Sequence, residues 1–289
     1  MEIPSSVKAF IGAALEEDIG SGDITSRLIV PAGHESTAML VAKEGLVLAG
    51  LPFVEEVFHT IDGSVGVKAL TEEGSHLKKG TIVAEISGKT KALLMGERVA
   101  LNILQHLSGI ATTTNRFVVK MKGLKAKLLD TRKTTPCMRF MEKYAVRMGG
   151  GKNHRFGLYD GILIKDNHVE IAGGIKEALK LAEEGRYLSK VEVEVENLKE
   201  FREALQRGAD IIMLDNMPLK DIKEAVRLAK GRTAIEVSGN ITLENIREIA
   251  ETGADLISVG CITHSAPAVD ISMKIVRRIE EGYARGVMI

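Results

Sequence analysis

Arg132-Lys133, His154-Arg155 and Lys165, followed by Glu194 and Asp215, are the residues whose types and spacing suit chemistry on an anion. The five cations fall within DTRKTTPCMRFMEKYAVRMGGGKNHRFGLYDGILIKDNH, Asp130 to His168, which holds eight Lys/Arg against four Asp/Glu although the whole chain has 39 of each. Arg presents a planar fork to carboxylate or phosphate, and Lys a compact point charge. That many cations exceed what one carboxylate needs. A substrate with two carboxylates, a phosphorylated substrate, or both would account for them. A solvated basic face is the plain alternative, but these cations stand beside turn-forming and strand-forming residues, which argues that they converge.

The run VEVEVE sets Glu192, Glu194 and Glu196 on one side of a strand and three valines on the other. On a water-exposed edge strand this alternation carries no meaning. Inside a barrel the valines face the covering helices and the glutamates face the lumen, where they need cations, a metal or ligand hydroxyls. Lys165 at the end of the preceding strand is a natural partner, and Asp215 at the end of the next extends the acid rim. Such acids suit sugar hydroxyls or Mg²⁺.

Ser238-Gly239-Asn240 and Ser258-Val259-Gly260 each follow a strand, and their backbone N–H groups, hydroxyls and adjoining helix start fit a phosphate pocket. Helix capping alone is the other reading. Lys165 also suits Schiff-base chemistry, which the residues leave open. His154 and His168 lack HExxH-type spacing, so zinc is not supported. Gly20-Ser21-Gly22-Asp23 and Gly149-Gly150-Gly151 lack nucleotide-loop spacing and read as turns.

Six β-type runs must position these groups, ending near Asp130, Lys165, Val195, Asp215, Val237 and Val259. Amphipathic helices are expected over Leu198 to Arg207, Leu219 to Ala229, Leu243 to Glu251 and Asp270 to Glu281. Short strands alternating with helices imply a parallel sheet, and six units favour a barrel over an open doubly wound sheet. Either architecture binds ligands at the C-terminal strand ends.

Ahead of this, a helix is expected over Ser5 to Glu17, capped by Ser5 or Ser6, then short β-type runs up to Gly88. A long helix from Lys91 to Ser108 carries Arg98, Asn102 and Gln105 as a polar stripe, with Gly109 ending it near a domain boundary. The expected domains are 1–109, an α/β unit, and 110–289, with the C-terminal helix packing back on the first.

Length 289 and 45% hydrophobic content permit two sizeable cores. Zero net charge and 4% aromatics argue against a nucleic-acid surface. There is no apolar run long enough for a membrane span, and the acids in the first twenty residues do not suit a signal peptide. Cys137 and Cys261 stand in no pairing or metal-binding pattern. The expected location is therefore the cytoplasm.

Taken together, EEDIGSGDIT, ERVALNILQHLSGIAT, DTRKTTPCMRFMEKYAV, GGGKNHRFGLYDGILIKDNH, EVEVEN, IIMLDNM, EVSGNI and ISVGCITHS resemble the quinolinate phosphoribosyltransferase family over nearly the full chain. The resemblance implies an N-terminal α/β sandwich, an incomplete six-stranded parallel α/β barrel, and a homodimer in which one subunit's sandwich covers the other's barrel mouth. It implies decarboxylating phosphoribosyl transfer to quinolinate from phosphoribosyl pyrophosphate, with Mg²⁺ carried mainly by the pyrophosphate and in contact with Glu194 and Asp215. By motif, Arg132, His154, Arg155 and Lys165, with Arg98 of the other subunit, match the family's quinolinate contacts. Lys133, Lys165, Glu194 and Asp215 match its phosphoribosyl pyrophosphate contacts, with Lys165, Glu194 and Asp215 as the catalytic set, and Thr131 is a further substrate-binding residue. Ser238, Gly239, Asn240, Val259, Gly260 and His264 match its 5-phosphate loops. Asn240 departs from the family's usual second glycine, and Asn is among the side chains that best tolerate a left-handed backbone.

Overall fold

The computed structural model describes residues 2–186 and 188–276. The chain divides into two units, one of residues up to Thr112 together with those from Pro267 on, the other Thr113–Ala266.

The first unit opens with α1 (Ser5–Ile19), which buries Val7, Ile11 and Leu15 along one side. Pro4 precedes it and no side chain caps it, so neither Ser5 nor Ser6 has the expected role. After α2 (Ile24–Ile29) come β1 (Glu35–Ala42), β2 (Leu46–Val47), α3 (Leu51–Ile61), β3 (Gly66–Ala69), β4 (His76–Leu77) and β5 (Ile82–Lys89). Helix α3 interrupts the succession of short strands read from the sequence. Its buried Leu51, Val54, Val57 and Phe58 have helical spacing, and the Glu73 carboxylate accepts the Gly50 and Leu51 N–H groups at its start.

Helix α4 (Thr90–Lys120) runs straight through Gly109, where an end was expected. A Cβ at Gly109 would collide with the Pro267 carbonyl oxygen. The glycine thus serves close backbone approach, which outweighs the roughly 1 kcal/mol that Gly costs inside a helix.

In the second unit, strands and helices alternate: β6 (Lys127–Leu129), α5 (Arg139–Met148), β7 (Ile162–Ile164), α6 (Asp166–Ala172), α7 (Ile175–Gly185), β8 (Val191–Val195), α8 (Leu198–Arg207), β9 (Ile211–Asp215), α9 (Leu219–Ala229), β10 (Ala234–Ser238), α10 (Ile246–Ala250), β11 (Leu256–Ser258) and α11 (Cys261–His264). Helix α8 illustrates why the sequence obeys this plan. The Asn197 side chain accepts from the N–H groups of Lys199 and Glu200, Phe201 and Ala204 are buried, and Gly208 ends the helix in a left-handed conformation.

The six strands are parallel, in the order β6-β11-β10-β9-β8-β7. The first strand pairs with the last and not with the second, so the sheet curls into a barrel with one open seam between β6 and β7. At that seam a single bridge joins Leu129 to Lys152.

The chain then returns to the first unit as β12 (Ile271–Val276), antiparallel to β1 from Ala42↔Ile271 to Thr37↔Val276. This completes a four-stranded sheet in the order β12-β1-β5-β3. The helix expected over Asp270 to Glu281 is therefore a strand as far as Val276; the remainder lies outside the described residues. Pairing to β1 decided the conformation, because a short apolar run satisfies either period.

Candidate active site

Three arrangements gather at the C-terminal ends of the barrel strands. The first centres on Asp130, fully buried just beyond β6. Its Oδ1 accepts from Lys143 Nζ at 2.5 Å and from the His154 N–H at 2.8 Å, while Oδ2 accepts from Asn153 Nδ2 at 2.6 Å. Lys143 Nζ also donates to the His154 carbonyl at 3.0 Å. Burial pushes the Asp130 carboxyl up and the Lys143 ammonium down from their ordinary values, against the attraction each exerts on the other. This buried pair fixes both the backbone around His154 and the loop after β6.

His154 leads into the barrel interior. Its Nε2 lies 3.0 Å from Glu192 Oε2 on β8 and 3.7 Å from Glu236 Oε1 on β10. Its Nδ1 accepts the Arg155 N–H at 2.8 Å, so the hydrogen-bond network assigns the proton to Nε2. Burial disfavours charge on this ring, but the hydrogen bond to Glu192 and the charges of Glu236 and Glu192 raise its pKa overall. Glu236 is fully buried, and burial together with the Glu192 charge pushes its pKa up to about 7. Among the described residues, His154, Glu192 and Glu236 form the cluster able to hold a metal ion. The hydrogen bonds made by both ring nitrogens also account for the histidine without one.

Arg155 and Arg132 stand near enough that each guanidinium's charge opposes the other's. Burial first, and then Arg132, hold the Arg155 pKa below its ordinary value. Both Nε atoms are buried without a hydrogen-bond partner, although Arg155 Nη1 reaches the Gly161 carbonyl at 2.9 Å. Two crowded guanidiniums with unsatisfied donors have the charge and the hydrogen-bonding capacity to bind a polyanion.

The second arrangement is an ion pair. Lys165, just past β7, lies with Nζ 2.5 Å from Glu194 Oε2 on β8. This pair answers the edge-strand question: Val191, Glu192, Val193 and Val195 are buried, and Glu194 is half-buried. An ammonium held on a carboxylate is not the free amine that Schiff-base formation requires. The His168 Nδ1 accepts the Lys165 N–H at 3.0 Å and so closes the first turn of α6.

The third is a cavity of about 740 Å³ lined by Thr131, Lys133, Asp215, Ser238, Gly239, Asn240, Val259, Gly260 and His264, among others. Gly239 and Asn240 are consecutive left-handed residues, with φ of 88° and 51°. Asn240 thus adopts the backbone expected of a glycine there, and its Nδ2 donates to Asn216 Oδ1 at 2.9 Å. A Cβ at Gly239 would strike the Asn216 side chain, and one at Gly260 would come 3.2 Å from both His264 and Lys133. Asp215 Oδ2 accepts from Asn216 Nδ2 at 2.7 Å.

The cations and phosphate-loop residues named from the sequence are therefore brought together in these arrangements, except Arg98. Arg98 is exposed on α4 of the first unit. Sequence reasoning missed Lys143, Asn153 and Glu236. For Glu236 a signal existed, since it alternates with buried Ile235 and Val237 as Glu192 and Glu194 alternate with valines.

Comparison with known proteins matches residues 23–108 to the N-terminal domain and 110–274 to the C-terminal domain of quinolinate phosphoribosyl transferase. A Bacillus subtilis protein described as a probable nicotinate-nucleotide pyrophosphorylase [carboxylating] is 46% identical over 261 residues, 90% of each chain. A Nicotiana tabacum protein, quinolinate phosphoribosyltransferase [decarboxylating] 2a, mitochondrial, is 40% identical across 93% of this chain and 82% of its own. The solved nicotinate-nucleotide pyrophosphorylase from Francisella tularensis superposes with a TM-score of 0.91 at 42% identity, covering 95% of this chain and 98% of that one.

Proposed function

Because this chain belongs to the quinolinate phosphoribosyltransferase family, we infer that it transfers the phosphoribosyl group of phosphoribosyl pyrophosphate to quinolinate. The products are nicotinate mononucleotide, pyrophosphate and CO₂, in the de novo synthesis of NAD. The observation that carries this reading is the pair of crowded guanidiniums, Arg132 and Arg155, with buried unpartnered Nε atoms, Arg132 standing in the chain between Thr131 and Lys133 of the phosphate-type cavity. Two carboxylates on one ring answer two such cations.

Arg132 and Arg155 hold the quinolinate carboxylates, with Lys165 at the rim. Ser238, Gly239, Asn240, Gly260 and His264 receive the 5-phosphate, and Thr131 and Lys133 the pyrophosphate. The pyridine nitrogen attacks C1 of the ribose as the C1–O bond to pyrophosphate breaks. Positive charge then builds on the sugar, and the carboxylates of Glu194 and Asp215 stabilise it while holding the ribose hydroxyls. No side chain is needed as a nucleophile.

Asp215 has an oxygen clear of its bond to Asn216, and its oxygen donor set, with Glu194, fits Mg²⁺. Bound with the substrate, Mg²⁺ would neutralise charge on the departing pyrophosphate. With the ring nitrogen quaternary, the C2–carboxylate bond breaks, CO₂ leaves, and C2 takes a proton from solvent.

The working form we propose is a homodimer in which Arg98 joins the partner's site. Leu158, Tyr159, Ile171, Leu181 and Leu188 of the second unit are exposed apolar side chains of the kind that an interface covers. No described helix is long and apolar enough to cross a membrane, and both cysteines are free, in keeping with work in the cytoplasm.

The test is to mix the protein with quinolinate, phosphoribosyl pyrophosphate and Mg²⁺ and to follow nicotinate mononucleotide and CO₂, with nicotinate as the parallel acceptor. Product from quinolinate alone is expected. Product from nicotinate alone, or from neither, overturns the reading.

A further inference from the structure

Beneath the guanidiniums, the barrel interior holds more acid than substrate binding uses. Glu192 Oε1, both carboxyl oxygens of Glu236 and the Ser258 hydroxyl are buried without hydrogen-bond partners. Glu236 is 0% exposed and Glu192 5%. Ligand atoms of Glu192, Glu236 and His154 all lie within 4.8 Å of one another. A carboxyl as deep as Glu236 and this close to Glu192 resists charge, because desolvation and the Glu192 charge each oppose it. Protonated, Glu236 donates toward Glu192 and satisfies oxygens that otherwise have no partner. The upward push on Glu236 agrees with its holding that proton.

The strands decide which groups meet. Glu236 on β10 is aligned with Met213 of β9, which is aligned in turn with Glu194 of β8. Glu236 and the glutamates of β8 therefore share the interior face, with β9 between them. From Glu192 the connection continues outward: Glu192 Oε2 accepts from His154 Nε2 at 3.0 Å, and His154 Nδ1 accepts the Arg155 N–H at 2.8 Å.

We propose that Glu236 is a positioning residue for recognition of the diacid: it holds Glu192 against His154, whose other ring nitrogen fixes the backbone from which Arg155 reaches the substrate. This rests on quinolinate being the substrate, as inferred above. It makes Glu236 weigh mainly on one of the two substrates, since Glu236, Glu192 and His154 are absent from the lining of the cavity for the phosphorylated one, which this cluster meets through Ser258.

Glu236→Leu keeps bulk and removes the carboxyl, whereas Glu236→Gln keeps a donor toward Glu192. Quinolinate affinity, phosphoribosyl pyrophosphate affinity and kcat are measured for both, with circular dichroism as the folding control. For Glu236→Leu, quinolinate affinity should fall about tenfold, near the worth of one buried hydrogen bond, while phosphoribosyl pyrophosphate affinity stays within about twofold. Glu236→Gln should recover most of the loss. Long-range ¹H–¹⁵N spectra of the His154 ring supply a readout that needs no substrate. Wild type should show protonated Nε2 and acceptor Nδ1, and Glu236→Leu should lose that pattern.

Equal loss of both affinities, or an unchanged His154 spectrum in Glu236→Leu, overturns the proposal. If wild type does not bind quinolinate, the substrate reading fails, and the ring spectra still decide whether Glu236 positions His154.

Discussion

Lys165 and Glu194 join the ends of two neighbouring strands, β7 and β8, through a 2.5 Å contact between Nζ and Oε2. The pair sets an ammonium and a carboxylate side by side, which in the reaction proposed above serve as the anion-binding and the cation-stabilising group. Lys165→Met should lower kcat/KM about 10²- to 10³-fold, the range for one preorganised electrostatic contact. Steady-state kinetics checks this, and a loss below about threefold would remove Lys165 from the reaction.

Lys143 is fully buried against Asp130. Lys143→Met leaves that carboxylate without its cation, and the second unit should lose about 3–5 kcal/mol of stability. Urea denaturation measures the loss. The double variant Lys143→Met/Asp130→Leu should recover part of it, because no orphaned charge remains.

Gly239 combines φ of 88° with the crowding side chain of Asn216. Gly239→Ala should therefore disturb the cavity and raise KM for phosphoribosyl pyrophosphate by about tenfold or more, as strain of about 1–3 kcal/mol implies. KM for quinolinate should change less than about twofold. Equal effects on both would place this turn elsewhere in the reaction.

Stability should depend on pH through Glu236, whose pKa is raised from the ordinary 4.5 to about 7. A carboxyl raised on folding contributes fully below its unfolded value, and that contribution is lost as pH rises through its folded value. Wild type should accordingly lose stability relative to Glu236→Gln between pH 5 and pH 8. Denaturation midpoints across that window test the sign, and a constant difference between the two proteins would mean that Glu236 is already ionised.

The sequence by itself determined the strand and helix alternation of the barrel, the ends of its six strands and which candidate site residues stand at those ends. Lys165, Glu194 and Asp215 sit at those ends, and the parallel pattern places strand ends together whatever the surrounding packing. Local signals also sufficed for Gly239 and Asn240, because turn chemistry is written in the residues that form the turn.

Tertiary structure alone decided what depends on partners distant in the chain. Residues 271–276 satisfy both helical and extended periodicity, and pairing with β1 selected the strand. Gly109 reads as a helix end, yet its reason is the backbone of Pro267. Lys143 carries no local signal of its role, which appears only when the fold brings Asp130 to it. Glu236 gains its meaning only because curling of the sheet points β8 and β10 at one interior, where burial and the Glu192 charge raise its pKa beside Glu192 and His154.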